Sequence, residues 1–146
     1  MALKYQPKEK SVVMCDFSQF NAPEMTKVRP VIVVAKHKRN KELVTIVPLS
    51  TTEPVPLAEY HYTMSNNPLP DKPHIQCWAK CDMVYTVSLA RLDRYKLAKR
   101  EYVVPQISDE DFKKIKRCLA KALNIPYIEP VPKRGLENQA EKCLVD

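Results

Sequence analysis

The sequence predicts a small, mainly β domain closed by one C-terminal α-helix, and three observations carry that reading. Short apolar runs rich in β-branched residues recur at Ser11–Phe17, Val31–Ala35, Leu43–Leu49 and Ile75–Val87, each bounded by proline or polar residues, which is how strands read. Only Ser108–Leu123 carries an extended helical apolar period. The length of 146 residues suits a single domain able to bury a core.

Residues 1–10 read as a flexible lead-in, and residues 11–124 as the folded domain. Ser11–Phe17 is the first strand. The polar loop Ser18–Thr26 that follows spans nine residues, longer than an ordinary hairpin turn, and such loops are often functional. The chain is organised around Lys27–Thr52, where Val31–Ala35 and Leu43–Leu49 form a hairpin through the charged connection His37–Glu42. Pro30 has no N–H for a ladder and so belongs at a strand's first residue, an edge or a bulge. It also holds Arg29 extended. The start of one hairpin strand lies beside the end of its partner, so Arg29 is expected next to Ser50, Thr51 and Thr52. A fixed cation beside hydroxyls suggests an anion site.

Further along, Tyr60 and Tyr62 share one face of an expected strand and His61 the other. His61 is read as a surface or satisfied residue rather than a catalytic one. Ser65–Pro73 is loop chemistry. Ile75–Val87 is one long strand or two with a bend, with Lys80, Asp82 and Val84 pointing one way and Cys81, Met83 and Tyr85 the other. Ser88–Leu92 suits a short helical turn and Arg100–Pro105 the last strand. In the helix, Ser108 is the N-cap and Asp109, Glu110 and Asp111 favour the positive end of the dipole. Phe112, Ile115, Leu119, Ala122 and Leu123 form its apolar stripe. Residues 125–146 make a proline-containing tail, expected to be disordered or extended over the domain.

The net charge is +7, and residues 1–50 hold nine Lys/Arg against four Asp/Glu. Six basic and no acidic residues fall between Lys27 and Lys41. Such a local field attracts polyanions, and Arg29 at the hairpin root favours a nucleic-acid surface over a merely solvated hairpin. Lys27, Lys36, Lys38 and Arg39 are the expected nucleic-acid contacts. Five cysteines with no apolar leader ahead of them read as reduced thiols of a cytoplasmic protein. His74, Cys77 and Cys81 have the look of a metal-ligand cluster, but on an extended chain Cys77 and Cys81 stand about 13 Å apart. Core cysteines are the better reading, and no metal or cofactor is expected. No apolar stretch approaches membrane-spanning length.

Four short motifs in register carry a resemblance. Asp16-Phe17 ends the first strand, Arg29-Pro-Val-Ile-Val-Val34 opens the second, Val47-Pro-Leu-Ser-Thr-Thr52 closes the third, and Cys81-Asp82 precedes Thr86-Val87 and Arg91-Leu92. In that order the chain resembles the MazF/PemK/Kid toxins of bacterial type II toxin–antitoxin modules over roughly residues 11–124. The resemblance implies an SH3-like small β-barrel of the MazF/PemK/CcdB type that forms a homodimer. It implies metal-independent, sequence-specific cleavage of single-stranded RNA, blocked by a cognate antitoxin. Arg29, Ser50, Thr51 and Asp82 match the family's site positions, and Lys80 falls where one branch has an arginine. Tyr85 stands where an arginine is often found, and Lys10-Ser11 replaces the usual Gly-Asp.

The chemistry can be argued from the residues alone. RNA is cut when its 2′-hydroxyl attacks the adjacent phosphate, which requires a base, an acid and stabilisation of charge on phosphorus. Asp82 is the candidate base, Arg29 the charge neutraliser, Ser50 and Thr51 the hydrogen-bond donors, and Lys80 the acid or a second cation. The competing reading is a catalytically inactive or CcdB-like binding protein on the same fold, holding RNA or inhibiting a protein target.

Overall fold

A computed structural model describes residues 2–128, so most of the tail expected at 125–146 lies outside the described residues. The first three strands are β1 (Val12–Asp16), β2 (Val28–Lys36) and β3 (Leu43–Ser50). They are followed by β4 (His61–Thr63), β5 (Trp78–Lys80), β6 (Tyr85–Ser88) and β7 (Leu92–Asp93). One sheet runs in the order β4-β5-β3-β2-β1-β7, with β6 also paired to β3. The hairpin β8 (Tyr95–Ala98) and β9 (Glu101–Val103) forms a separate two-stranded sheet. Helix α1 (Asp109–Ala122) closes the fold. The fold is mainly β with one C-terminal helix, as expected. The sheet does not close into a complete barrel, since β4 and β7 at its ends, three and two residues long, do not pair.

The expected hairpin is present, with Val31 opposite Pro48, Ile32 opposite Val47 and Val33 opposite Ile46. Its strands read as continuous apolar runs because both faces are covered. Val12, Ile32, Val47 and Leu49 pack with Phe112 and Ile115 of α1 in one cluster. Val13, Val31, Val33, Ile46 and Leu92 form the other, which Leu3 joins from the N-terminal segment. That segment was expected to be flexible, yet it is anchored. The Leu3 amide donates to the Leu92 carbonyl at 2.9 Å, Gln6 Nε2 donates to the Leu43 carbonyl at 2.9 Å, and Lys10 pairs with Asp109. Apolar Leu3 and Pro7, both buried, supply the reason.

Ile75–Val87 proves to be two strands with a bend, a single 3-10 turn at Cys81–Met83. A second such turn at Leu89–Arg91 is capped by Ser88, whose side chain accepts from the Ala90 amide. In α1, Ser108 Oγ accepts from the Asp111 amide at 3.1 Å, as the sequence predicts. The apolar stripe ends early: Leu123 is 54 % exposed, because it is the C-cap and Asn124 then turns away at φ 56°. With so little glycine, Lys10 and Arg100 also take positive φ, a conformation that costs non-glycine residues energy.

Candidate active site

Pairing between β2 and β3 stops at Val31–Pro48 although both strands continue, β2 back to Val28 and β3 on to Ser50. Pro30, the third residue of β2, sits at this opening. Its neighbour on the other side is Met14 of β1, so the missing N–H costs no ladder bond to β3. Continuing the register outward puts Arg29 opposite Ser50, the juxtaposition expected from the hairpin. A cleft of about 240 Å³ opens there, lined by Arg29, Ser50 and Thr51 together with Asn67, Lys72 and Tyr95.

Arg29 is half-buried, and its Nε is buried without a hydrogen-bond partner among the described residues. A desolvated donor of this kind is costly unless something meets it. Ser50 is 5 % exposed. The Thr52 amide donates to its Oγ at 3.1 Å, while the serine's own proton meets only the Thr52 carbonyl at a long 3.4 Å. That hydroxyl is held in place with its proton nearly free. Burial raises the Cys77 thiol to about 11, and burial followed by a 2.7 Å bond to Asp71 raises Tyr95 to about 12. Both are neutral at physiological pH, so the positive charge of the cleft comes from Arg29 and Lys72.

Lys80 and Asp82 do not line the cleft; the sheet keeps Lys80 on the same side as Ser50, while the 3-10 turn at Cys81–Met83 breaks the alternation expected to carry Asp82 and Val84 along that face. Ser50 lies opposite Trp78, and residues directly opposite in a ladder share a face. Lys80, two residues on, is a diagonal neighbour of Ser50, at about 7–8 Å. His61 lies opposite Lys80. Its Nδ1 accepts from the Ala58 amide at 3.0 Å, and its Nε2 approaches Asp82 Oδ1 at 3.7 Å. Asp82 thus stands in the 3-10 turn beyond β5, against a histidine with nearly buried side chain. His61 is a satisfied residue, as read from the sequence, though its partner Asp82 was not foreseen.

Of the expected RNA contacts, Lys27 is exposed at the cleft end of β2. Lys36, Lys38 and Arg39 are exposed at the other end and in the hairpin connection, about 23 Å or more from Arg29 at strand rise. Tyr85, at the position where the resemblance has an arginine, packs its ring on Phe17 and Phe20 and accepts from the Met25 amide at 3.4 Å. It shapes the Ser18–Thr26 loop. Cys15, Cys77 and Cys81 are buried and Cys118 partly so.

A family model for the PemK-like, MazF-like toxin of type II toxin–antitoxin systems matches residues 8–123. The chain belongs to this family of toxins. Among similar proteins is the putative uncharacterized protein YifN of Escherichia coli K12, 28 % identical over 145 residues and covering 85 % of this chain and 96 % of that one. The fold matches that of an endoribonuclease from a mycobacterial species (TM-score 0.59, 21 % identity, 84 % of this chain and 96 % of that one). It also matches an endoribonuclease in complex with its cognate antitoxin from a mycobacterial species (0.59, 20 %, 84 % and 99 %). MazF from Deinococcus radiodurans aligns at 0.60 with 11 % identity, over 84 % and 100 % of the two chains. Among the described residues of this MazF-like chain, no helix is long and apolar enough to cross a membrane.

Proposed function

We propose that this protein is a sequence-specific endoribonuclease that cuts single-stranded RNA in the cytoplasm without a metal ion. The observation that carries the reading is the Arg29 guanidinium beside Ser50 and Thr51, whose buried Nε lacks a partner among the described residues. A phosphodiester would satisfy it with a charge-assisted hydrogen bond. The RNA's 2′-oxygen attacks the adjacent phosphorus as the bond to the 5′-oxygen breaks, leaving a 2′,3′-cyclic phosphate and a 5′-hydroxyl. Asp82 takes the 2′-hydroxyl proton, with His61 fixing its carboxylate. Arg29 neutralises the charge that develops on phosphorus, and the Ser50 and Thr51 hydroxyls donate to its oxygens. Lys80 adds a second positive charge on the same face, and water on this open surface protonates the leaving oxygen.

A homodimer and a cognate antitoxin covering this face belong to the same reading. Exposed Val55, Leu57 and Ile75 offer apolar area for such partners. Incubating the protein with a long RNA in chelator and mapping the new 5′ ends tests the proposal, and recurrent cuts at one short sequence are expected. The separation of Asp82 from the cleft favours one second reading, an RNA-binding protein without activity. Intact RNA with salt-dependent binding would select it.

A further inference from the structure

Two cations face the cleft, and only one has been given a role. Lys72 comes from the segment between β4 and β5, which has no regular strand yet is tied down along its length. The Met64 amide donates to the Cys77 carbonyl at 3.0 Å, closing its base. Asn67, 7 % exposed, donates through Nδ2 to the Ile75 carbonyl at 3.0 Å and accepts from the Leu69 amide at 2.9 Å. Leu69 is buried in the core. Tyr95 donates to Asp71 at 2.7 Å, pinning the residue beside Lys72. The Lys72 amide donates to the Leu69 carbonyl at 3.1 Å, and its carbonyl accepts from the Ile75 amide at 3.2 Å. The backbone of Lys72 is therefore fixed, while its exposed side chain can swing over the cleft.

Among the described residues, no acidic one lines this cleft, and the nearby Asp71 carboxylate is engaged by Tyr95. Nothing within the cleft neutralises either cation. A single phosphate held by Arg29 and the hydroxyls leaves the second charge unused, whereas a nucleic-acid strand brings its next phosphate along with the first. We infer that Lys72 binds the phosphodiester adjacent to the one held by Arg29, making the cleft a two-phosphate site. The inference rests on the reading of the cleft as an RNA site and names a positioning residue within it.

The test uses the full chain and two uncleavable ligands, a 2′-deoxy dinucleoside monophosphate and the matching trinucleoside diphosphate. Binding is followed by calorimetry and by the fluorescence of Trp78, the only tryptophan, which lies opposite Ser50. Wild type should bind the two-phosphate ligand more tightly. Lys72→Gln should weaken that ligand about threefold to fivefold, the range of an exposed ion pair, and leave the one-phosphate ligand unchanged. Lys72→Arg should restore binding, and Arg29→Ala should weaken both ligands. Equal effects of Lys72→Gln on both ligands, or none on either, while Arg29→Ala still weakens both, would overturn the inference and leave the cleft reading standing. If wild type binds neither ligand, or Arg29→Ala changes nothing, the cleft reading itself falls.

Discussion

Arg29 and Asp111 are both charged side chains drawn into the fold, and they are treated in opposite ways. Asp111 is 3 % exposed, and its carboxylate accepts from Tyr62 Oη at 2.5 Å and from Ser65 Oγ at 2.7 Å. Its position in the first turn of α1 adds a favourable helix dipole. Burial, and then the bond to Asp111, push the Tyr62 hydroxyl well above its ordinary range. Arg29 has a buried Nε that no group among the described residues meets. A buried charge satisfied from within ties elements together, here α1 to β4 and the loop after it. One left unsatisfied costs the fold stability, and a cleft beside it offers a place for the ligand that would meet it.

The comparison is sharpened first by Arg29→Ala. RNA cleavage should fall about a hundredfold or more, as for loss of an oxyanion donor, while the melting temperature holds or rises. A large loss of stability would mean that Arg29 is structural. Asp111→Ala should do the reverse, costing about 1–3 kcal/mol because Tyr62 loses its acceptor. Denaturant unfolding checks this, and cleavage by the folded fraction should be unchanged.

Sulfur offers a smaller version of the same contrast. Burial raises Cys15 to about 12 and Cys77 to about 11. Cys118 is half-buried, and its thiol is lowered, chiefly by the Cys81 thiol beside it. Because the lowered group is anionic above its pKa, alkylation at Cys118 should accelerate at a lower pH than for an ordinary thiol. Cys15 and Cys77 should stay unmodified in the native protein until far more alkaline pH. Peptide mapping that found Cys77 labelled first would contradict this order.

The least effect is expected at the hairpin tip. Replacing Lys36, Lys38 and Arg39 together should leave the salt dependence of short-oligonucleotide binding unchanged, since the tip lies at the far end of β2. On a long RNA the slope should flatten by about 2, at roughly 0.7 per phosphate contact on single strands. An unchanged slope on long RNA would assign the tip to solvent.

The central hairpin was legible in the sequence because two β-branched runs with Pro30 and Pro48 leave little choice of register, and Arg29 beside Ser50 followed from it. The helix was legible from its cap and stripe. The strands Leu92–Asp93 and Tyr95–Ala98 were not, because LDRYKLA is short and charged and becomes strand only through pairing with β1 and β9. Lys72 and Tyr95 escaped notice for a related reason. SNNPLPDKP reads correctly as a loop, but the bond that seats it, from Tyr95 to Asp71, spans 24 residues. A bend within Ile75–Val87 was one of two alternatives, with no position given, whereas the placing of Asp82 against His61 depended on the β4–β5 pairing.

Whether the two regions named by the family motifs serve one phosphate is the central claim, and a double-mutant cycle tests it most directly. Cleavage rates for wild type, Arg29→Ala, Asp82→Asn and the double variant are compared in chelator on one RNA, with binding measured in parallel. Asp82→Asn should keep RNA binding and lose about a hundredfold or more in rate, as expected for a general base. Residues that act as a unit are non-additive, so the double variant should be scarcely slower than the slower single one. Full cleavage by Asp82→Asn at unchanged sites, or losses that simply multiply in the double variant, would contradict the account.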